Sequence, residues 1–397
     1  MSTAARHAEI AGAGFGGLVA AIALAERGWS VRVHERTPML RAEGFGIAMK
    51  PNMLKVLDAV GVREAILRGG MALRRRETRN DRNEATMLMR GAAGHRVSRL
   101  HIAQTLAARA AALGVTFEWT SAVLGADPAG ALLLDSGSRA SADLVIGADG
   151  IDSSVRESLG LLSSRRHHRD GAMRVMVPRT ALERAQDAVD GPGTCETWSG
   201  TRRVVTSPCS EQELYVALSC LAADRGGQTV PLDVESWSGA FPWLRELFER
   251  IHHEADWTQV RWVAFQTVRT SRWSRGRAAI LGDAAHAMPP NLGQGAGCAM
   301  VNALSLAVAL EESRDIGRAL TAWEARERPL TEHTQRWSER YGQLTTWPES
   351  LRSLAFTALG RIGWLRRRYL RTENHVPVGY AAAMRPATTP PTGSDPL

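Results

Sequence analysis

The stretch HAEIAGAGFGGLVAAIALAERGWSVRVHE, residues 7–35, decides the fold. His7 to Ala11 is a short run fit for a buried strand, and Ser30-Val31-Arg32-Val33-His34-Glu35 alternates apolar and polar residues as a strand does. Between them Gly12-Ala13-Gly14-Phe15-Gly16-Gly17 opens an alanine- and leucine-rich segment that stops at Arg27-Gly28. The order strand, glycine turn, helix, strand is the start of a βαβ unit. The spacing Gly12-x-Gly14-x-x-Gly17 permits a tight turn, close approach of a pyrophosphate and close packing of the helix, whose free N–H groups face the phosphates. Glu35 ends the second strand eighteen residues beyond Gly17, the place for a carboxylate that grips ribose hydroxyls. The turn residues Gly12, Ala13, Gly14, Phe15, Gly16 and Gly17, with Glu35 and its neighbour Arg36, are therefore the expected contacts of an adenine dinucleotide.

Two further turns narrow the choice of dinucleotide. Leu144-Val145-Ile146 reads as a short buried strand that ends in Gly147-Ala148-Asp149-Gly150. Ala278-Ala279-Ile280-Leu281 reads as another, and GDAAHAMPPNLGQGAG, residues 282–297, follows it. A backbone with so many glycines can come close to a large, flat, polar-edged molecule, and its prolines fix the direction in which a helix begins. An NAD-only dehydrogenase needs the first motif and has no use for the other two.

Together these motifs resemble the class A FAD-dependent aromatic hydroxylases, the para-hydroxybenzoate hydroxylase-like family, over roughly the first 160 residues and 270–340. The resemblance implies that Gly12, Gly14 and Gly17 bind the FAD diphosphate. It also implies that Asp149 and Gly150 serve FAD and the nicotinamide nucleotide, and that Gly282 and Asp283 hold the ribityl chain. Ser98-Arg99 with Ile102 and Leu106 looks like the family's Arg-x-x-Leu-x-x-x-Leu helix, which implies that Arg99 lies beside the diphosphate. Val123 falls where the family touches adenine, and Gly44-Phe45-Gly46-Ile47 with Pro51-Asn52 looks like its flavin-flanking turn. Met288-Pro289-Pro290-Asn291-Leu292-Gly293-Gln294-Gly295 matches the loop against the isoalloxazine. That implies that Pro289, Pro290, Leu292, Gly293, Gln294 and Gly295 lie at the flavin, with Pro289, Pro290 and Gly293 in its flavin-facing loop; no side-chain acid or base is named. One departure stands out: where the family carries two acidic residues in the following helix, this chain reads Met300-Val301-Asn302-Ala303.

The implied fold class is α/β, a Rossmann-like FAD-binding domain with an inserted sheet-rich substrate domain and a C-terminal helix. We expect the cofactor domain over residues 1–73, 97–165 and 270–345, and the substrate domain over 74–96 and 166–269. A helical segment over 346–382 and a loose tail over 383–397 complete the division. Short β-leaning runs such as Arg203-Val204-Val205-Thr206 and Leu214-Tyr215-Val216-Ala217-Leu218, separated by Gly, Pro and Ser, support the middle domain. Leu351, Leu354, Leu359, Ile362 and Leu365 suggest an amphipathic segment; Trp364 with Arg366-Arg367-Arg368 could make a membrane-surface helix, but a helix packed on the flavin domain with its basic face outward is the preferred reading.

The implied activity is a monooxygenase. NADPH or NADH reduces FAD, O2 is captured as a flavin C4a-hydroperoxide, and a small aromatic or polycyclic substrate is hydroxylated. A same-fold flavin oxidoreductase performing epoxidation, Baeyer–Villiger oxidation or dehydrogenation, or a non-catalytic flavin-binding partner, remains open on sequence grounds.

Composition is compatible with this reading. The net charge of +8 and pI near 10.0 come from arginines spread along the chain, with no basic block interleaved with aromatics, so an arginine-rich solvated surface is preferred over a nucleic-acid site. Cys195, Cys209, Cys220 and Cys298 show no CxxC spacing and read as reduced thiols in the cytoplasm. No leader is expected, because Glu9 and the glycine turn interrupt the N-terminal segment, and no apolar run is long enough to span a bilayer. His286 could suggest a Ser/His/Asp hydrolase, but no GxSxG elbow exists, and a structural histidine is the better reading. The adjacent pairs His167-His168 and His252-His253 are poorly placed to share one ion, so no metal site is expected. Tryptophans between 237 and 273 fit an aromatic pocket or an ordinary core equally well.

Overall fold

The computed structural model describes residues 5–40, 45–91 and 94–380. One six-stranded sheet runs in the order Ser274–Arg275, Ala278–Ile280, Leu144–Gly147, His7–Ala11, Ser30–Glu35, Thr116–Trp119. Neighbours are parallel except the first pair. Parallel pairing needs a crossover, and the helix Phe15–Ala25 supplies it between His7–Ala11 and Ser30–Glu35. Helices Arg99–Ala112 and Gly295–Glu312 pack against that helix, which leaves almost every residue of Phe15–Ala25 buried. A helix covered all round must be small and apolar on every side, and this explains its unbroken run of alanine, leucine, valine and isoleucine.

The seven-stranded sheet has the order Val263–Thr270, Leu162–Pro178, Glu213–Leu221, Arg202–Pro208, Gly193–Ser199, Arg75–Arg79, Ala85–Arg90. It is antiparallel except where Gly193–Ser199 lies beside Arg75–Arg79. Helices Val234–Ala240 and Arg245–Glu254 cover it and bring Trp237, Phe241 and Phe248 into a core with Met173, Val175 and Val216. These helices, and Ala181–Asp190, were not evident in the β-leaning composition. Trp237, Phe248 and Ile251, which anchor the first two, are strand-favouring types. The Thr180/Glu183 capping box at the start of Ala181–Asp190 was the overlooked signal. Trp237 and Trp273 fill cores rather than shape a pocket: Trp237 packs on Phe241 and Phe248 at 6.1 and 6.0 Å, and Trp273 packs on Trp323 at 5.3 Å in the other core, while Trp243 is exposed.

The C-terminal helices correct one expectation. Helix Glu349–Arg361 packs on strand Ala85–Arg90 of the seven-stranded sheet, not on the flavin-side sheet. Its inward stripe is Arg352, Phe356 and Leu359; the Arg352 guanidinium lies 5.1 Å from the Trp198 ring and donates to the Gly200 carbonyl at 2.7 Å. An arginine that stacks and bonds in this way can hold an inward position. Leu351, Leu354 and Ile362, expected on the buried side, therefore stand outward. No helix among the described residues is long and apolar enough to cross a membrane. The tail expected over 383–397 lies outside the described residues.

Replacing Trp237 by Ala removes a fully buried ring from the core under the seven-stranded sheet. The expected loss is about 3–5 kcal/mol, seen as an earlier thermal or urea transition by circular dichroism, with bound flavin retained in the folded fraction.

Candidate cofactor and active site

Three turns meet at the C-terminal edge of the six-stranded sheet, where ligands bind in folds of this kind. The Gly12 N–H donates to the His34 carbonyl at 2.8 Å, the Ala148 N–H to Ala11 at 2.8 Å, and the Leu281 N–H to Gly147 at 2.9 Å. Gly12 has φ +100°, and a β-carbon there would lie 2.5 Å from the Ala148 carbonyl oxygen. A β-carbon on Gly17 would collide with the Gly12 carbonyl. No other residue type fits those two positions. A β-carbon on Gly14, Gly150 or Gly295 would instead point into open space, so these glycines line a cradle.

The polar groups around the cradle are partly committed. Glu35 Oε2 accepts from the Ala13 N–H at 2.9 Å, and Oε1 accepts from the Thr37 N–H at 3.1 Å and its hydroxyl at 2.9 Å. The carboxylate thus pins the glycine turn and keeps lone pairs for a ligand. Arg36 is exposed beside it. Arg99 opens its helix and stands over the Phe15 ring at 5.2 Å. Val123 begins the strand Val123–Asp127 of a three-stranded sheet. Asp149 Oδ2 accepts from the Val155 N–H at 3.1 Å, while its buried Oδ1 has no partner. Asp283 opens the short helix Asp283–His286 and keeps accessible surface. Burial raises the pKa of its carboxyl, and the nearby charge of Arg99 partly opposes the rise. The Gly12–Gly17 turn, the helix of Arg99 and the Gly282-Asp283 turn thus come together. An orphaned carboxylate oxygen, a glycine cradle and an arginine suit a phosphate- and hydroxyl-bearing ligand such as FAD.

The loop Pro289–Gly295 is clamped from three directions. Ser338 of the long helix Ile316–Gln343 donates its hydroxyl to the Pro289 carbonyl, and Asn291 donates to the Ser338 carbonyl at 2.9 Å. Arg203, from the seven-stranded sheet, donates to Asn291 Oδ1 at 2.8 Å. Asn52 donates to Gln294 Oε1 at 3.0 Å. Pro290–Leu292 form a single 3-10 turn, Gly293 adopts φ +61°, and helix Gly295–Glu312 starts immediately after, with its first N–H groups unspent. Arg156, fully buried, donates to the Ala284 carbonyl at 3.2 Å and ties the Asp149 turn to the Gly282 turn.

Beside this loop lies a charge cluster that sequence reading missed. Glu373 pairs with Arg76 at 3.0 Å and with Lys50 at 3.4 Å, and a β-carbon on Gly293 would be 4.0 Å from Lys50 Cε. Burial and the neighbouring Arg76 push the Lys50 ammonium down to about 7, against the pull of Glu373. Arg96 is buried too, donates to the Gly46 carbonyl at 3.0 Å and stands 4.4 Å from the Tyr215 ring. Nothing periodic links positions 50, 76, 96 and 373, so only the folded chain brings them together. A cavity of about 890 Å³ lies elsewhere, between Ser274–Arg275 and the long helix. Its Arg328 is already tied to Glu324 and Glu332, and none of the sequence-derived site residues lines it, so we place the chemistry in the glycine cleft.

A protein-family model described as FAD binding domain matches residues 6–329. The 2-heptyl-3-hydroxy-4(1H)-quinolone synthase of Mycobacteroides abscessus is 36% identical over 372 residues, covering 89% of this chain and 95% of its own. AqdB1 of Rhodococcus erythropolis, to which the same activity is ascribed, is 39% identical over 388 residues, covering 96% of this chain and all of its own. The structure of 2-methyl-3-hydroxypyridine-5-carboxylic acid oxygenase in its tetrameric form superposes with a TM-score of 0.82 at 37% identity, over 94% of this chain and 98% of that one. The chain belongs to the class A FAD-dependent aromatic hydroxylases. It is an FAD-dependent monooxygenase, with the α/β fold that the resemblance implied.

The remaining histidines are accounted for locally. His286 is buried; Asn302 donates to its Nε2 at 3.0 Å and its ring packs on Trp273 at 5.6 Å. Asn302 also donates to the Thr331 hydroxyl at 3.2 Å, and its carbonyl accepts from Trp323 at 2.9 Å. The Asn302 amide, where the resemblance leads one to expect acidic residues, thus serves as a packing hub between His286, Thr331 and Trp323. His168 contacts the Thr267 hydroxyl at 2.9 Å and His252 the Leu232 carbonyl at 2.8 Å. Among the described residues no group of three His, Cys, Asp or Glu is arranged for a metal ion.

Burial holds His286 down to about 4. Below pH 6.5 the unfolded chain takes up a proton there that the folded chain refuses until about pH 4, so stability falls as pH drops through that window. The loss reaches roughly 3 kcal/mol at its limit. Urea unfolding at pH 7.5 and pH 5 should show this slope, and His286→Gln should flatten it.

Proposed function

We propose that FAD lies along the glycine cleft and that the protein uses it, with NADPH or NADH and O2, to hydroxylate an oxygen-bearing N-heteroaromatic ring. The observation that carries this reading is the convergence of three glycine turns and Arg99 at one sheet edge, next to a loop clamped from three sides. In this reading Gly12 to Gly17 and Arg99 hold the diphosphate, Glu35 and Arg36 the adenosine ribose, and Val123 the adenine. Asp149, Gly150, Gly282 and Asp283 hold the remainder of the chain between the phosphates and the ring. The loop residues Pro289, Pro290, Leu292, Gly293, Gln294 and Gly295 back the ring itself. FAD, when bound, supplies hydride acceptance and dioxygen activation. The protein's own share is position, electrostatics and exclusion of water. Unspent N–H groups at the start of Gly295–Glu312 favour negative charge next to them. Arg76 and the buried Arg96, set against Glu373, leave local positive charge that suits a ring oxygen ionised on the way to reaction, and Lys50 beside them adds to it only when protonated. Relatives named for a hydroxyquinolone and a hydroxypyridine support the ring class.

We read the six-stranded sheet with its helices as the cofactor unit and the seven-stranded sheet as the substrate unit, and the four free thiols as a sign of cytoplasmic residence.

Stimulated NAD(P)H consumption across a panel of hydroxyquinolones and hydroxypyridine carboxylates, with product mass measured under labelled oxygen gas, tests the activity. One labelled oxygen atom in the product is expected, and full coupling to unlabelled product would refute hydroxylation. Arg99→Met should weaken FAD by about 1.5–3 kcal/mol, the scale of charge-assisted hydrogen bonds, in a flavin fluorescence titration. Asp283→Ala should purify folded but largely colourless; wild-type flavin content in both variants would move the cofactor out of this cleft.

A further inference from the structure

We propose that the outward face of helices Glu349–Arg361 and Gly363–Tyr369 is a docking surface for an anionic lipid bilayer. Five large apolar side chains stand on it in water: Trp347, Leu351, Leu354, Ile362 and Trp364 are 43%, 52%, 64%, 41% and 61% exposed. On the first helix, positions 351, 354, 358 and 361 fall on one stripe, opposite the inward stripe that Trp198 fixes through Arg352 and Phe356. The helix cannot roll to hide its leucines without unstacking both.

The same helices and the residues just after them carry Arg361, Arg366, Arg367, Arg368 and Arg371, all exposed, and none of their side chains joins an ion pair among the described residues. The sole acidic residue from 347 to 371 is Glu349, already taken by the Ser353 hydroxyl. Two tryptophans, three aliphatic side chains and five unpaired guanidinium groups match what an interfacial helix presents. The apolar side chains enter the headgroup boundary, the indoles sit at its level, and the guanidiniums reach lipid phosphates.

Other occupants fit less well. Residues 381–397 hold only Met384 and Leu397 as large apolar side chains, too few to cover the stripe. A second copy docked by a two-fold axis would bring arginine cluster against arginine cluster with one carboxylate per chain between them. A nucleic acid would satisfy the arginines and leave the leucines in water.

The test is co-sedimentation of the FAD-loaded full chain with vesicles of equal parts phosphatidylglycerol and phosphatidylcholine, compared with phosphatidylcholine alone. Flavin absorbance in the pellet reads the bound fraction. The expected result is binding to the anionic vesicles that weakens with added salt and little binding to the neutral ones. The double variant Leu354→Gln/Trp364→Gln and the triple variant Arg366→Gln/Arg367→Gln/Arg368→Gln should each lose about tenfold in partition, with flavin content and circular dichroism unchanged. Four results overturn the proposal: no binding to anionic vesicles, equal binding to both vesicle types, wild-type partition by both variants, or light scattering that shows a dimer broken by Leu354→Gln/Trp364→Gln.

Discussion

The molecule depends on how closely three backbone segments approach one another at one end of the six-stranded sheet. Gly12, Gly17 and the Ala148 carbonyl meet at distances that exclude a β-carbon, and the strand ends at Ala11, Gly147 and Ile280 are tied in sequence across the sheet. This contact fixes the angle at which helix Phe15–Ala25 leaves the sheet, and with it the direction of the helix N–H groups. Everything that faces the cleft is set relative to that angle. Arg99 reaches Phe15 because its helix packs on the first one, and Asp283 comes within range of Arg99 because its strand lies two places from the first strand.

The loop Pro289–Gly295 shows the same logic with side chains in place of backbone. Its glycines and prolines give it no core of its own, so its shape comes from Ser338, Arg203 and Asn52, one from each neighbouring layer. Because one of these clamps belongs to the seven-stranded sheet, the two sheets are coupled through the loop between them. Preorganisation of this kind keeps polar groups in place before charge develops. The buried Lys50–Glu373–Arg76 cluster adds a carboxylate from the far end of the described chain, where burial makes each charge expensive and pairing offsets it.

How much of this was legible depended on whether the signal was local. The glycine turns could be read because backbone approach restricts residue type at fixed spacing, and Gly12, Gly17 and Gly293 do occupy tight or left-handed positions. Helix Arg99–Ala112 could be read because Ile102, Leu106 and Ala110 repeat at helical period. Arg203, Ser338, Arg156 and Glu373 could not, since each acts on a partner more than forty residues away and nothing in the local pattern marks it. The leucines at 351 and 354 were misassigned for a related reason. Periodicity locates a stripe, but a stacked Arg352 claimed the buried side.

Chain order has a consequence for assembly on the ribosome. The meander from Gly193 to Leu221 pairs neighbours in sequence and can close as soon as it emerges. The six-stranded sheet is different: Leu144–Gly147 can pair with His7–Ala11 at once, but its other neighbour, Ala278–Ile280, is made much later, and Lys50 and Arg76 stay without their carboxylate until Glu373 follows. Closing such long loops is entropically slow. The nascent chain therefore carries a half-built cleft, with one apolar edge of Leu144–Gly147 open until Ala278–Ile280 emerges.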